Sequence, residues 1–401
     1  MAQSPTLHQT RDNIRRCAVN PASVIDEALA RIADPDGEGA NTFIAVHEQR
    51  SREEAQAAAL YQRSGRPLSP LLGLPISIKD LLNEQGHITR AGSVVRSTSP
   101  PAARDARGVH RLRAAGAIVI GRTNMTEFAY SGVGLNPHYG TPAAPYDRAT
   151  RRIPGGSSSG AGVSVSDGMA VGAIGSDTGG SVRIPAALCG LAGFKPTARR
   201  VSTDGVFPLS PTYDSIGPLA ADVAGCMVLD QVLRGTDVDT YPASAPLQGL
   251  RLVIPDGILT EGMDTAVSRA FERVTSHLAA QGVHLAHRTL PSVESPDRAL
   301  RAGHLLAAEA LASHQKTLDT HYEAYDPRVA TRMEQARTLS ATDFIDLMNW
   351  RHDLIRQATY DLRDVDGLLI PTTPITAPPT RALEEDDTVY TETNVPMLRN
   401  T

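Results

Sequence analysis

Of the 39 basic residues in this 401-residue chain, 36 are arginine; the three lysines are Lys79, Lys195 and Lys316. Arginine keeps its proton in a protein, whereas a buried lysine can lose it. A base drawn from the basic residues must therefore be lysine. Lys79 ends the apolar stretch Gly73-Leu74-Pro75-Ile76-Ser77-Ile78-Lys79-Asp80. The alternative is a surface lysine whose stem lies along apolar residues and whose ammonium stays in water. Hydroxyls that such a base could serve cluster between Gly155 and Ser181, where 19 of 27 residues are Gly, Ser or Ala. The run opens on Ser157-Ser158-Ser159 and closes on Thr178-Gly179-Gly180-Ser181. Small residues let backbone amides and hydroxyls come close to a substrate. A plain Gly/Ser linker would not hold Val163, Val165, Met169, Val171 and Ile174, nor lead straight into Arg183-Ile184-Pro185.

Two serine chemistries compete for this run. Gly156-Ser157-Ser158-Ser159-Gly160 matches G-x-S-x-G, the strand-to-helix elbow that presents a nucleophilic serine to a histidine. That elbow needs a strand before it, and Arg151-Arg152-Ile153-Pro154 makes a poor one. Ser181 is better placed, after a predicted strand and before a predicted helix. The small residues preceding it can aim several N–H groups at one developing oxyanion. A plain Gly-Gly turn is the bland reading of the same residues. With no histidine beside Ser181, the base becomes Lys79, and a bridging serine could pass the proton. Bringing a lysine from about 10.4 to near 7 costs roughly 4–5 kcal/mol of desolvation.

These residues resemble the amidase signature family, whose serine hydrolases use Ser–Ser–Lys in place of Ser–His–Asp. The resemblance runs from about residue 21 to the end. It is densest in Gly73–Asp80, in Gly121-Arg122-Thr123-Asn124-Met125-Thr126-Glu127-Phe128 and in Gly155–Thr197. Ser176-Asp177-Thr178-Gly179-Gly180-Ser181-Val182-Arg183-Ile184-Pro185-Ala186, then Cys189-Gly190 and Gly193-Phe194-Lys195-Pro196-Thr197, follow the family signature nearly letter for letter. The resemblance implies that Ser181 is the acyl-forming nucleophile, Lys79 the base, and Ser157, 24 positions before Ser181, the bridging serine on a cis peptide. It implies an oxyanion hole from the amides of Thr178, Gly179, Gly180 and Ser181, with Ser158, Asp177 and Arg183 in support. Lys195 falls in a structural turn. No metal or other cofactor is implied. The activity implied is hydrolysis of a carboxamide C–N bond. The alternatives are a glutamine-hydrolysing A subunit of a tRNA-dependent amidotransferase, and a catalytically impaired scaffold. Met125, Tyr130 and the region after 300 are candidates for shaping the pocket, with no readable substrate code.

The elements that must position these groups alternate between helix and strand. Helical spacing is read at 21–34, 51–63, 105–115, about 160–167, from about 183, 297–317 and 342–363, and through Val267, Phe271, Val274 and Leu278. Strands are read at 42–46, 74–79, 117–120, 171–175, 250–254 and 366–370, with a loop at 371–380. Asn124 with Glu127 reads as the capping start of a further helix. The alternation predicts an α/β layer fold. The resemblance makes it the amidase signature fold, a large mixed twisted β-sheet covered by α-helices on both faces. One domain is expected over 1–401: an N-terminal helical segment at about 1–65, a core at about 66–250, a helical insertion at about 260–365, and a final strand and loop at 366–401. The chain stops at Leu398-Arg399-Asn400-Thr401, where relatives usually continue, so a missing C-terminal part and an exposed sheet edge are expected.

Composition narrows the partners. A net charge of −5 and 4 % aromatic residues argue against nucleic acid or an anionic membrane. The arginine clusters Arg148/Arg151/Arg152 and Arg199/Arg200 read as solvated faces or carboxylate partners. Three scattered cysteines fit a reducing compartment, and no window reads as a signal peptide or membrane span. The expected setting is cytoplasmic and the expected partner a small-molecule amide, with a homodimer left open.

Overall fold

The structure, a computed structural model, describes residues 5–236, 243–295 and 297–401. Six strands, β1 (Phe43–Val46), β2 (Pro75–Lys79), β3 (Ile118–Thr123), β4 (Gly172–Asp177), β5 (Ala192–Gly193) and β6 (Ser215–Ala220), form a sheet ordered β1-β3-β2-β4-β6-β5. Strand β2 lies between β3 and β4 and runs parallel to both, whereas β6 is antiparallel to β4. Every residue of β2, β3, β4 and β6 is buried, as a sheet covered on both faces requires.

On one face, helices Arg107–Ala114 and Val223–Arg234 bring Val109, Leu112, Val228 and Leu229 into one core with Ile76 and Ile78 of β2. On the other, helices Pro21–Ala33 and Glu48–Arg63 lay Ile25, Leu29, Ile32 and Ala55 against Ile118 and Ile120 of β3. Asn20 starts the first of these helices by accepting the Ala22 N–H, with Pro21 at its opening position. Because strand side chains alternate between faces, Ser77 and Lys79 point away from Ile76 and Ile78. They face the serine-rich helix Ser159–Ser166, where the Ser77 and Ser164 hydroxyls meet at 2.8 Å. The small residues of that helix are a packing requirement. A Cβ on Gly160 would lie 2.3 Å from the Thr42 carbonyl oxygen and 2.8 Å from the Asn124 nitrogen.

The predicted single large sheet is two sheets among the described residues. Strands β7 (Arg251–Pro255), β8 (His284–Arg288) and β9 (Gly367–Leu368) form a separate parallel sheet ordered β8-β7-β9. Strands β5 and β9 are two residues long, too short to carry a ladder onward. Helices Thr265–Ala280 and Ala341–Asp361 form as predicted, but the first buries no residue and the second only Leu347. The Val267–Leu278 stripe therefore has helical spacing but no fully buried member: Val267, Phe271 and Leu278 are half-buried and Val274 is 47 % exposed.

The helix predicted after Asn124 is also corrected. A single 3-10 turn, Glu127–Ala129, stands there, with Phe128 and Ala129 at positive φ. The side chains read as a cap are engaged elsewhere. Asn124 Nδ2 donates to the carbonyls of Asn41 and Gly140. Glu127 accepts from Ser93 Oγ, His138 Nε2 and the Asp326 N–H. At the other end, helix Asp387–Arg399 leads to Asn400, whose Nδ2 donates to the Leu259 and Pro371 carbonyls. Among the described residues no helix is long and apolar enough to cross a membrane.

Ile78 is fully buried and Ile355 is 48 % exposed. Ile78→Ala is expected to cost about 2–5 kcal/mol and Ile355→Ala less than about 0.5 kcal/mol, read by urea unfolding. Equal losses would contradict this placement of the core.

Candidate active site

Lys79 closes β2 and Ser176 lies in the adjoining strand β4. The lysine is 0 % exposed. Its Nζ donates to Ser157 Oγ at 2.7 Å and to Ser176 Oγ at 2.8 Å. Burial lowers its pKa from 10.5 to about 7, against the pull of Asp177 and Asp214. At neutral pH such an amine can be in either its charged or its neutral form. Its sequence neighbour does not compete. Asp80 turns the other way, onto Arg122 Nε at 2.8 Å, and both side chains are fully buried.

Ser157 follows a cis peptide from Gly156. The Gly156 N–H donates to the Gly132 carbonyl at 2.7 Å, and the Ser157 carbonyl accepts the Thr126 N–H at 3.1 Å. A Cβ at Gly156 would lie 2.6 Å from the Gly134 nitrogen, so only glycine lets the two loops touch. Ser158 donates its N–H to the Ser181 carbonyl at 3.2 Å, which ties the two serine segments together.

Ser181 crowns the turn between β4 and helix Arg183–Leu188. Asp177 makes that turn. Its carboxylate accepts the N–H groups of Gly180 at 2.8 Å, Val182 at 3.2 Å and Arg183 at 3.4 Å. It also accepts Arg183 Nε at 2.9 Å and Nη2 at 2.8 Å. Burial alone would push this carboxyl up. The Arg183 bonds and charge, with the amides, outweigh it and hold the group below its ordinary value. The Gly180 N–H, expected among the oxyanion donors, is thus committed to Asp177. The N–H groups of Thr178, Gly179 and Ser181 have no partner among the described residues. Gly180 itself sits at φ +111°, and a Cβ there would lie 2.1 Å from Thr401 Oγ1. Thr401 in turn donates to the Gly179 carbonyl at 2.7 Å and accepts from Arg183 Nη2 at 3.1 Å.

The structure joins Lys79 to Ser157 and, beyond the sequence reading, to Ser176. It places Ser181 on the neighbouring loop, 3 % exposed, its hydroxyl without a hydrogen bond among the described residues. One further residue, Asp214, escaped the sequence reading. Thr178 donates its hydroxyl to Asp214 Oδ1 at 2.6 Å, and Asp214 acts on Lys79 through its charge. Strand alternation through β4 was the available signal for Ser176; nothing local pointed to Asp214. Of the pocket candidates, Met125 is fully buried, and the Tyr130 carbonyl accepts Arg332 Nη1 at 2.6 Å. Lys195 donates to the Pro196 carbonyl at 2.8 Å.

Two cavities lie away from these residues. One of about 650 Å³ is lined by Phe194, Val223 and Met227 among others, and one of about 510 Å³ by Asn136, Asp326 and Arg328 among others. His47, Glu84 and His87 bring three ligand-type atoms within 4.8 Å of one another. Glu84, however, already accepts Arg113 at 2.6 Å and His47 Nε2 at 2.8 Å, with Arg122 at 3.5 Å. With its charge met by guanidinium groups, this set reads as an ion-pair network rather than a cation site. The arginine clusters behave alike: Arg148 pairs with Asp167, Arg151 with Glu38, Arg152 with Asp147 and Arg200 with Asp230.

The family model described as Amidase matches residues 23–399. The chain belongs to the amidase family. It is 35 % identical to 2-amino-5-chloromuconic acid deaminase of Comamonas testosteroni, over 99 % of this chain and 85 % of that protein. It is 36 % identical to 1-carboxybiuret hydrolase subunit AtzE of Pseudomonas sp. (strain ADP), over 88 % of this chain and 78 % of that one. A crystal structure of an amidase superposes with a TM-score of 0.85 at 34 % identity, covering 94 % of this chain and 83 % of that chain. Family and relatives make this chain an amidohydrolase. The family match runs through the C-terminal helix, and the predicted missing C-terminal part finds no support in it.

A lysine whose pKa is about 7 folded and 10.5 unfolded binds fewer protons in the fold between those values. Its burial penalty is then full below pH 7, roughly 5 kcal/mol, and fades as pH rises to 10.5. Lys79→Met is expected to raise stability at pH 6–7 and to lose that advantage toward pH 10.5, read by urea unfolding across the pH range. An advantage that does not change with pH would contradict the buried, neutralised amine.

Proposed function

We propose that this amidase hydrolyses the carboxamide C–N bond of a small amide by acyl transfer. Ser181 is the nucleophile, Ser157 the bridging hydroxyl and Lys79 the base. The observation that carries this reading is the fully buried Lys79 amine, 2.7 Å from Ser157 Oγ and with a pKa near 7.

Neutral Lys79 takes the Ser157 proton while Ser157 takes that of Ser181, and Ser181 Oγ bonds to the amide carbon. The carbonyl electrons move onto oxygen, where the free amides of Thr178, Gly179 and Ser181 can donate to it. One such donor is worth about 3–4 kcal/mol in related chemistry. The C–N bond then breaks, and the proton held on Lys79 returns through Ser157 to the leaving nitrogen. Water attacks the acyl-enzyme by the same relay, releasing the carboxylate and restoring the Ser181 hydroxyl. The relay requires Ser157 and Ser181 to meet in the reacting complex. Such bonds are commonly long in resting sites and tighten with substrate. Ser158 supports both loops through its N–H, and Asp177 with Arg183 shapes the turn. The described cysteines Cys17, Cys189 and Cys226 are unpaired, which suits a reducing, cytoplasmic setting.

Purified protein is expected to label with an alkyl fluorophosphonate, and Ser181→Ala to abolish labelling. A protein that does not label would favour the scaffold reading. Lys79→Arg is expected to abolish hydrolysis across a panel of aliphatic and aryl amides, with Ser157→Ala nearly as damaging. Near-normal turnover by Lys79→Arg would remove the proton relay. Turnover of glutamine alone from that panel would point to the amidotransferase subunit instead. The wild-type rate is expected to rise with pH through about 7, as the buried Lys79 amine gives up its proton; a flat profile would count against Lys79 as base.

A further inference from the structure

The loop before β6 carries a carboxylate that bonds the nucleophile turn and acts through its charge on Lys79. Asp214 Oδ1 accepts the Thr178 hydroxyl at 2.6 Å. Asp214 Oδ2 accepts the N–H groups of Leu209 at 3.0 Å and Ser210 at 3.2 Å. Thr178 is the first residue after β4 on the way to Ser181, so this bond anchors the near end of the nucleophile turn. The far end is anchored separately, by Asp177 on Arg183.

We propose that Asp214 is a positioning residue for amide hydrolysis: its carboxylate fixes the start of the nucleophile turn through Thr178 and sets one negative charge beside the Lys79 amine. The proposal rests on Lys79 being the base. The charges around the amine divide clearly. Asp80, the residue after Lys79, is tied to Arg122. Asp177, from β4, is tied to Arg183, with Lys195 close enough to feel both. Asp214 is held by a hydroxyl and two amides and, among the described residues, faces no arginine at bonding distance. Around Asp214, Glu309 of helix Arg298–His321 accepts the Ser210 hydroxyl and the Thr212 N–H at 3.1 Å, and Tyr213 lies under Arg351 at 5.2 Å. These contacts hold the loop, and the Asp214 carboxylate stays on the Thr178 hydroxyl, from where its charge acts on Lys79. Burial pushes the Asp214 carboxyl up, while the Thr178 bond, the two amides and Lys79 pull it back.

Two functions of one group separate by substitution. Asp214→Asn keeps the shape and an acceptor but removes the charge. The Lys79 ammonium then loses a partner, its neutral form prevails at lower pH, and the acid limb of activity moves down. Thr178→Val keeps the charge but removes the anchor. The readout is the second-order rate at which an alkyl fluorophosphonate labels Ser181, followed from pH 5 to 9. In this step the Ser181 oxygen bonds to phosphorus, fluoride leaves, and the serine proton passes to the relay.

The wild-type rate is expected to rise through a midpoint near 7. D214N is expected to move that midpoint down by about half a unit or more. T178V is expected to label several-fold more slowly with its midpoint unmoved. A wild-type rate without any midpoint overturns the lysine base and this proposal with it. A wild-type midpoint that D214N leaves in place overturns this proposal alone, as does T178V labelling at the wild-type rate. Should D214N not fold, T178V decides: slowed labelling supports the anchor and an unchanged rate overturns it.

Discussion

An ammonium group taken out of water must find replacement partners or give up its charge. Lys79 does some of each. Its strand lies inside a sheet covered on both faces, and no water-facing route remains for a side chain that is 0 % exposed. Two serine hydroxyls and a more distant carbonyl stand where solvent would be. Hydroxyls solvate an ammonium less well than bulk water, and they can also donate to a neutral amine. The fold therefore lowers the cost of losing the proton without removing the hydrogen bonds. The rest of the site is arranged so that nearby carboxylates do not undo this. Arg122 takes Asp80 and Arg183 takes Asp177. Had either acid met the amine directly, Coulomb attraction at short range would hold it protonated.

The Asp177–Arg183 pair shows how one charge can shape a loop. Three backbone N–H groups and a bidentate guanidinium converge on a single buried carboxylate. Each bond fixes a few dihedral angles between β4 and the following helix, and together they hold Ser181 at the crown. This geometry takes one amide, that of Gly180, out of the set that could meet an oxyanion. It leaves three whose orientation is set by the turn. The C-terminal segment closes on the same turn from outside, where Thr401 bonds the Gly179 carbonyl and receives Arg183. The floor of the site is thus built from segments more than two hundred residues apart.

Much of the architecture was legible because short-range rules governed it. The alternation Ile76-Ser77-Ile78-Lys79 separates an aliphatic face from a polar one before any contact is known. The small residues from Gly155 to Ser181 require close packing, and the helix over Thr42 and Asn124 is that packing. Local rules failed where a distant group claimed a side chain. Asn124 and Glu127 have the spacing of a helix cap, yet Asn41, Gly140, Ser93, His138 and Asp326 engage both. Val267, Phe271, Val274 and Leu278 have the spacing of a core face, yet their helix buries none of its residues. Periodicity reports which residues share a side; it does not supply what covers that side.

Residue types and order alone marked the groups we propose to exchange protons. A lysine among arginines, serines between glycines, and the signature around Ser181 all stand in the linear chain. What the chain could not decide is the state of those groups. Lys79 meets Ser157 across 78 positions and Ser176 across 97. Asp214, which no local pattern marks, meets Thr178 across 36. A pKa is a difference in solvation and charge between two surroundings, and surroundings are made by contacts between residues distant in sequence. Tertiary structure therefore turned an ordinary lysine into an amine that can be neutral at pH 7, because only the folded sheet withholds water from it while supplying hydroxyls in its place.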